Sequence, residues 1–286
     1  MSHHPRRRGR RRHFSPLWLP AILAAAAFLY WSNTALQVTE FHPAFAGLPA
    51  GFDGCRIALV SDLHGAEFGE DNERLFAGLA AEQPEYILYL GDLEDRFRGR
   101  EEGYAATVAE GLTAIAPTYY VTGNHEWAVG GVPALKAALE AAGVTVLDNH
   151  ARVLERGGDA IVLAGIDDPN GYADQKSPET LAAEIAELYG DVFWLLMAHR
   201  NDRFPTQYSL LGADLVVSGH GHGGLIRLPF TDGLITHNWE LFPSYMAGLY
   251  EDNGSTLLVT RGLGNSGPSF RLFNRPEVAV LTLHKG

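Results

Sequence analysis

Seven side chains of this sequence have the chemistry of metal ligands, and they lie in five short runs. The runs cover residues 61–64, 91–95, 123–126, 198–199 and 219–224. The donors that they carry are Asp62, His64, Asp92, Asn124, His199, His220 and His222. Carboxylate, amide and imidazole donors without a thiolate favour Mn, Fe, Zn, Co or Ni over Cu(I) or an iron–sulfur cluster. Seven donors are too many for one divalent ion, so we expect two ions, which together can clamp a phosphoryl group and activate water.

Apolar runs with the character of β-strands precede most of these donors. The runs are Arg56–Val60, Tyr86–Leu90, Tyr119–Thr122, Val192–Met197 and Leu215–Val217. Because the carboxyl ends of parallel strands meet at one edge of a sheet, donors far apart in sequence can converge there. Asp62 and His64, like His220 and His222, are two residues apart, which in an extended chain places both side chains on one side. Asp92 follows a strand and a glycine, so its carboxylate can bridge two ions.

Helical patterns alternate with these strands. Apolar faces that repeat every 3.6 residues, together with helix start and stop signals, predict helices near 71–83, 102–115, 133–142 and 177–188. Short runs between residues 145 and 164 indicate a small antiparallel unit, and Thr256–Thr260 and Val278–Leu283 are predicted to be the closing strands. The alternation of strands and helices indicates an α/β fold class. Residues 262–267 are predicted to form a loop beside the metal site, which Arg271 and Arg275 could help to order.

The order D-x-H, G-D-x-x-D, G-N-H-E, H, G-H-x-H resembles the calcineurin-like metallophosphoesterase family, specifically its membrane-associated bacterial phosphodiesterases. The resemblance covers residues 61–222, and the tail is similar to the final strands of that family. It implies one ion held by Asp62, His64, Asp92 and His222, and a second held by Asp92, Asn124, His199 and His220. It also implies that His125 lies beside the phosphate without binding metal, stabilises charge and protonates the leaving oxygen. Histidines that merely bond to backbone at strand ends would explain any one motif, but not five in this order.

The resemblance also implies a fold and a reaction. The expected fold has two mixed β-sheets packed face to face with flanking helices, over residues 53–286. The expected reaction is hydrolysis by a hydroxide that bridges the two metals, with a phosphodiester or pyrophosphate bond of a lipid or cell-envelope molecule as the substrate. The alternatives are a phosphomonoesterase or protein phosphatase, and a non-catalytic scaffold that binds protein partners. The filled ligand positions argue against the scaffold.

Three further residues are candidates for supporting the ligands or contacting the substrate. They are Asp95, Glu126 and Arg200. Glu126 could orient His125 or a metal-bound imidazole. Arg200 could contact the phosphate, or equally form an ion pair near Asp202. The carboxylates of Asp167 and Asp168 are expected to form turns or support the site rather than bind metal.

Charge and cysteine content restrict the function classes. Residues 1–13 hold six arginines and no acidic residue, and subtracting these from the 22 basic residues leaves 16 against 34 acidic ones, a balance of −18. Such an acidic body argues against a nucleic-acid partner, although a metal centre can still bind phosphate locally. No obligate protein partner is evident. Cys55 is the only cysteine, so an intrachain disulfide is impossible, and we expect a small buried side chain there.

Residues 1–35 are predicted to be a basic N-terminus followed by a transmembrane anchor or signal segment, and residues 36–52 a linker or first strand. The apolar stretch Phe14–Trp31 has 18 residues and contains Pro16 and Pro20, a length within the range of a bilayer crossing. The arginines before it would stay in the cytoplasm and the rest of the chain would lie outside. Residues 11–14 also resemble a twin-arginine export signal. We expect a retained membrane anchor, with cleavage or a buried core helix as the alternatives.

Overall fold

Apolar strands build two six-stranded sheets in this computed structural model, which describes residues 18–97, 103–228, 231–236, 239–267 and 270–286. The first sheet has the order β1 (Gln37–Phe41), β13 (Glu277–Thr282), β3 (Arg56–Val60), β4 (Tyr86–Tyr89), β5 (Thr118–Tyr120) and β6 (Thr145–Val146). Its neighbours pair in parallel except for β13 and β3.

The second sheet has the order β11 (Gly248–Asp252), β12 (Ser255–Val259), β10 (Leu215–Gly219), β9 (Trp194–Arg200), β8 (Asp159–Ile166) and β7 (His150–Arg156). Its four central strands are parallel, and the edge strands β7 and β11 are antiparallel to their neighbours. A small parallel pair joins β2 (Ala44–Phe45) to β14 (His284–Lys285).

Helices cover the outer faces of both sheets. Those in the described residues are α1 (Trp18–Thr34), α2 (Glu73–Ala81), α3 (Tyr104–Thr113), α4 (Asn124–Val129), α5 (Val132–Ala141) and α6 (Pro178–Tyr189). Short 3₁₀ helices lie at Ala50–Phe52, Glu70–Asn72, Asn201–Arg203 and Tyr208–Leu210. Helices α2, α3 and α5 pack on the first sheet through residues such as Leu79, Leu112 and Leu139, and α6 packs on the second through Leu181 and Ile185.

The core between the sheets explains why they pack face to face. Alternate residues of a strand point to opposite faces, so each strand of a sheet that is covered on both sides is apolar throughout. Leu59 and Leu88 of the first sheet meet Leu195 and Val217 of the second in one buried cluster. Cys55 belongs to this cluster, as predicted, and burial raises the pKa of its thiol to about 12. The layer order α/β/β/α confirms the predicted fold.

The structure adds one helix to those predicted and shortens another. Helix α4 begins at Asn124 and includes His125, where no helix was predicted. The carboxylate of Glu126 accepts a hydrogen bond from the N–H of Gly123 at 2.6 Å and so caps the first turn of this helix. The predicted helix at 102–115 begins later, with α3 at Tyr104, and residue 102 lies outside the described residues.

The N-terminal apolar segment forms helix α1, and its first residues, 14–17, lie outside the described part of the chain. The helix has 17 residues, and large apolar side chains on it, including Trp18 and Tyr30, are exposed. Of the described helices, none is both long and apolar enough to cross a membrane, so they lend no support to the predicted transmembrane anchor. Strand β1 lies in the segment predicted as a linker or first strand and extends the first sheet.

A buried ion pair fixes the start of β13. The Glu277 carboxylate accepts hydrogen bonds from the N–H and Nε of Arg261 at 2.9 and 2.8 Å and from the hydroxyl of Thr39 at 2.7 Å. Burial acts to raise the pKa of Glu277, but Arg261 outweighs it and the pKa is lowered. A carboxyl group with a lowered pKa stabilises the fold above its unfolded-state pKa, and this stabilisation is lost as the pH falls through the folded-state pKa.

Glu277→Gln should therefore lower the free energy of unfolding at neutral pH by about 3 kcal/mol, because it leaves the Arg261 guanidinium buried without its partner. The difference from the wild type should shrink as the pH falls toward the lowered pKa of Glu277. Urea unfolding at several pH values measures both effects. Glu251→Gln, at an exposed position of strand β11, is the matched control and should change little. A loss of unfolding free energy in Glu277→Gln that stays constant across the acidic pH range would contradict this account.

Candidate metal centre

The predicted donors meet where the carboxyl ends of strands from both sheets approach each other. Asp62 and His64 follow β3, Asp92 follows β4, and Asn124 opens α4 after β5. His199 lies near the end of β9, and His220 and His222 follow β10. The loops after β3 and β4 bond to each other through the backbone: the N–H groups of Asp62 and His64 donate to the carbonyls of Gly91 and Asp92 at 3.0 Å. The convergence predicted from the strand pattern is therefore present.

The backbone at these donors is not extended, contrary to the prediction. Five of them have φ values of 51–65°, in the left-handed region: Asp62, His64, Asp92, His220 and His222. Residues other than glycine are uncommon there, and the conformation costs on the order of 1–3 kcal/mol at each position. The bends return each donor toward the strand ends, so backbone curvature, and not alternation along a strand, brings the side chains together.

Two groups of donors form within this site. In the first, Nε2 of His222 lies 3.4 Å from Oδ1 of Asp62 and 3.2 Å from Nε2 of His64. In the second, Nε2 of His199 lies 3.3 Å from Oδ2 of Asp92 and 3.2 Å from Nδ1 of His220. Within each group the donor atoms all lie within 4.8 Å of one another. Such convergence of ring nitrogens and carboxylate oxygens is the arrangement a metal ion requires.

Asp92 connects the two groups. Its Oδ2 lies 3.3 Å from Nε2 of His199 in the second group and 3.7 Å from Nε2 of His64 in the first. Its other oxygen, Oδ1, accepts a hydrogen bond from the N–H of His125 at 2.8 Å. The carboxylate is 1% exposed. The Asp92 carboxylate thus lies between the two donor groups, and the backbone at the start of helix α4 fixes its position.

Backbone carbonyls orient two of the imidazoles. Nδ1 of His199 lies 2.7 Å from the carbonyl of Leu90, and Nδ1 of His64 lies 3.3 Å from that of Glu94. Because a carbonyl only accepts, each Nδ1 carries a proton, and in the neutral form of each ring Nε2 turns a lone pair toward the site. Asn124 adds a further donor: its Oδ1 is buried and has no hydrogen-bond partner among the described residues. These donors fit a divalent metal.

The ionisation of the histidines follows from burial and from Asp92. Burial lowers the pKa of His64 to about 3, and burial followed by the charge of His199 lowers that of His220 well below its usual range. Burial also acts to lower the pKa of His199, but Asp92 outweighs it and raises the pKa to about 10. Since only neutral imidazole binds a metal, His64 and His220 are in the ligand form, and a metal at His199 displaces a proton.

His125 lies beside these groups, and its hydrogen bonds show which ring nitrogen carries the proton. The N–H of Arg96 donates to Nδ1 of His125 at 3.1 Å, so the proton of the neutral imidazole is on Nε2. That atom lies 3.5 Å from the hydroxyl oxygen of Ser266. Asp95 is close, because its carboxylate falls in one group with His64 and His125. Asp95 accepts hydrogen bonds from the N–H groups of Phe97 and Gly267 at 2.6 and 3.3 Å.

Glu126 has a different role from the predicted one. It was expected to orient an imidazole, but its carboxylate accepts hydrogen bonds from the backbone N–H groups of Asp92, Leu93 and Glu94 at 3.0, 2.6 and 3.2 Å. Burial, followed by the charge of Asp92, raises the pKa of Glu126 to about 8. Glu126 therefore holds the loop that carries Asp92.

Arg200 forms an ion pair with Asp168 rather than with Asp202. Its Nε donates to the Asp168 carboxylate at 2.7 Å, and this carboxylate is fully buried. Asp167 accepts a hydrogen bond from the hydroxyl of Thr122 at 2.8 Å. The expectation that Asp167 and Asp168 support the site is consistent with these contacts.

Three residues near the site had no signal in the sequence motifs. Asn274 donates to the carbonyl of His222 at 2.7 Å, and Ser266 approaches His125. The third is Asn33, which belongs to helix α1, far from the site along the sequence. Arg271, which was expected to order the 262–267 loop, does so: its guanidinium donates to the carbonyl of Gly264 at 2.7 Å. Arg275 does not contact that loop and instead bonds to the carbonyl of Ala35 at 3.0 Å.

Comparison with known proteins finds sequence and fold similarity to phosphoesterases. A model of the calcineurin-like phosphoesterase family matches residues 55–224. The metallophosphoesterase YkuE of Bacillus subtilis is 28% identical over 261 residues, which are 89% of this chain and 87% of that protein. A transmembrane protein with a metallophosphoesterase domain from Danio rerio is 28% identical over 93% of this chain and 62% of its own length. The solved structure of a dimetal phosphatase from Danio rerio has a TM-score of 0.49 and 14% identity over 73% of this chain and 88% of that chain.

Proposed function

Because the chain belongs to the calcineurin-like phosphoesterase family, we propose that it is a metal-dependent hydrolase that cleaves a phosphodiester or pyrophosphate bond. The observation that carries this proposal is that two donor groups both lie close to the carboxylate of Asp92, with His125 beside them. Divalent ions bound there would supply Lewis acidity toward the phosphoryl oxygens and a nucleophilic hydroxide at neutral pH.

Each donor group supports the binding of one ion. Asp62, His64, Asp92 and His222 would hold the first, and Asp92, Asn124, His199 and His220 the second. Asp92 has the position of a shared ligand, since its Oδ2 is within 3.7 Å of a ring nitrogen in each group. The otherwise unpartnered Oδ1 of Asn124 is a neutral ligand, which limits the negative charge of the site and preserves its attraction for phosphate.

His125 is the proposed general acid. The hydrogen bond from Arg96 to Nδ1 leaves the proton of the neutral ring on Nε2, which lies 3.5 Å from the hydroxyl oxygen of Ser266. From there the neutral imidazole can donate a hydrogen bond to a phosphoryl oxygen. As a general acid the ring would act in its imidazolium form, with a second proton on Nδ1 in place of the bond from Arg96, and would become neutral when its Nε2 proton passes to the leaving oxygen. Because the N–H of His125 also holds Asp92, the acid and the proposed bridging ligand have a fixed relative position.

The charge around the site favours a diester over a monoester. A phosphomonoester carries a second negative charge and needs cationic partners beyond the metals. Arg200 is already paired with Asp168. Arg271 is buried, and its guanidinium bonds to Gly264 and Asn265. Neither is placed to neutralise that extra charge, which supports a phosphodiester or a pyrophosphate-linked substrate.

The N-terminal segment is the proposed membrane attachment, with the catalytic domain outside the cytoplasm. The exposed apolar side chains of α1, among them Trp18, Leu19, Ile22 and Leu23, follow directly on six arginines, a combination that favours a membrane surface. The relative from Danio rerio is named a transmembrane protein. Attachment of this kind would bring the metal centre close to lipid or cell-envelope phosphodiesters.

Hydrolysis of a chromogenic phosphodiester and a chromogenic phosphomonoester by the full chain, purified metal-free and reloaded with Mn²⁺, tests the proposal. We expect metal-dependent turnover with a higher kcat/KM for the diester. Faster hydrolysis of the monoester would favour the phosphomonoesterase instead. If neither compound is hydrolysed although the protein binds metal, the chain would be better described as a scaffold.

A further inference from the structure

The 262–267 loop lies across the metal site and touches both of its ends. At one end the N–H of Gly264 donates to the carbonyl of Asp62 at 2.7 Å. At the other end the hydroxyl of Ser266 lies 3.5 Å from Nε2 of His125, and the N–H of Gly267 donates to Asp95. The packing is close, because a Cβ on Gly264 would lie 2.0 Å from the carbonyl oxygen of Leu63. A small displacement of this loop therefore moves groups that face His125.

Arg271 holds the middle of the loop. Its Nη2 donates to the carbonyl of Gly264 at 2.7 Å, and its Nε donates to the side-chain oxygen of Asn265 at 2.9 Å. The guanidinium also lies 3.4 Å from the carbonyl oxygen of His222. The residue is only 1% exposed. A buried cation whose hydrogen bonds go to neutral acceptors depends on their exact placement, so the position of Arg271 and the shape of the loop are linked.

Helix α1 completes this arrangement through a single side chain. The amide of Asn33 pairs with both backbone groups of Arg271: its Oδ1 accepts from the N–H at 2.7 Å and its Nδ2 donates to the carbonyl at 3.0 Å. The same Oδ1 accepts from the amide of Asn265 at 3.1 Å. These contacts span more than 230 residues of sequence. One turn of an otherwise exposed apolar helix is thus bonded directly to the loop over the metal centre.

We propose that Asn33 is a positioning residue for the phosphoester hydrolysis, acting through Arg271 and Asn265 on the 262–267 loop that places Ser266 against His125. This inference rests on the proposed function for its catalytic consequence. Helix α1 then helps to position the active site, although most of its surface is exposed. The proposed metal-binding side chains come from other segments, although Arg271 approaches the carbonyl oxygen and Nδ1 of His222 at 3.4 and 3.3 Å. The proposal places the effect of Asn33 on turnover, and metal content tests this.

The test compares Asn33→Ala with Thr34→Ala in the full chain loaded with Mn²⁺. Thr34 is the matched control, because it lies in the same turn of α1 and its hydroxyl donates within the helix, to the carbonyl of Tyr30 at 2.8 Å. We expect Asn33→Ala to lower kcat for the chromogenic diester by about 10-fold or more, since a displacement of ~1 Å can cost ~10²-fold in rate. Thr34→Ala should keep the wild-type kcat, and Asn33→Asp, which retains the acceptor for Arg271, should recover part of the loss.

Two further readouts separate this inference from the proposed function. Hydrogen exchange at the Gly264 amide should be faster in Asn33→Ala than in Thr34→Ala, and this holds whether or not the diester is hydrolysed. The metal content per chain should be equal in both variants. Equal exchange rates, equal kcat values in the two variants of an active enzyme, or a loss of metal in Asn33→Ala would each overturn the inference. An inactive wild type with the expected exchange difference would instead count against the proposed function alone.

Discussion

His125→Ala should lower kcat for the diester by about 10²–10⁴-fold, the range of a general acid, while the chain keeps its full metal content. The reason is the difference between the two contacts of this residue: Nε2 of its ring lies 3.5 Å from the hydroxyl oxygen of Ser266, and its backbone N–H donates to the ligand Asp92. An alanine at this position retains that backbone hydrogen bond. Turnover and metal content, measured on the same preparation, check the expectation.

The control for this variant is His150→Ala, which removes an exposed histidine at the start of strand β7. It should leave kcat and metal content unchanged. If His125→Ala loses metal in parallel with activity, the histidine is part of the metal-binding set and the division of roles is wrong. A rate change of only a few-fold would mean that the leaving oxygen obtains its proton from another group.

Asp92→Asn should lower the affinity for both metals, and by more than the roughly 10–100-fold typical of residues that only support a ligand. The carboxylate lies within 3.7 Å of a ring nitrogen in each of the two donor groups, so its charge acts on both. The substitution also removes the neighbour that raises the pKa of His199, which makes the proton there easier to displace. The neutral amide, however, cannot replace the negative charge of Asp92 toward either ion. Metal titration by calorimetry and metal analysis after dialysis measure the loss.

Asp202→Asn is the control, since Asp202 is exposed and follows the ligand strand β9. It should bind metal as the wild type does. The loss of only one ion in Asp92→Asn, with the other retained at full affinity, would contradict the placement of Asp92 between the two groups.

The order and type of the donors were readable from the sequence because metal chemistry requires particular side chains, and these stand at the ends of apolar runs. That is why the candidate donors and the α/β fold class could be predicted from the residues, whereas the division of the ligands between two ions, the role of His125 and the face-to-face packing of the sheets were expected from the resemblance to the family. The buried state of Cys55 followed in the same way from residue type and position. These are properties of residues and of their immediate neighbours along the chain.

The tertiary structure decided which groups touch. The left-handed backbone at Asp62 and His222 replaced the extended chain expected there, because it depends on how neighbouring loops bond to each other. The sequence did not determine which groups Glu126 would bond to. In the structure its carboxylate accepts hydrogen bonds from the backbone N–H groups of the loop that carries Asp92. Arg200 paired with Asp168 across neighbouring parallel strands rather than with nearby Asp202.

The contact of Asn33 with Arg271 and Asn265 is the clearest case. An asparagine at the end of an apolar helix predicts nothing about a loop more than 230 residues away. Hydrogen bonds act over about 3 Å, so their partners are defined only when packing has brought distant segments together. The sequence by itself determined the chemistry that the site can hold, and the packing of two sheets and helix α1 decided how that chemistry is positioned.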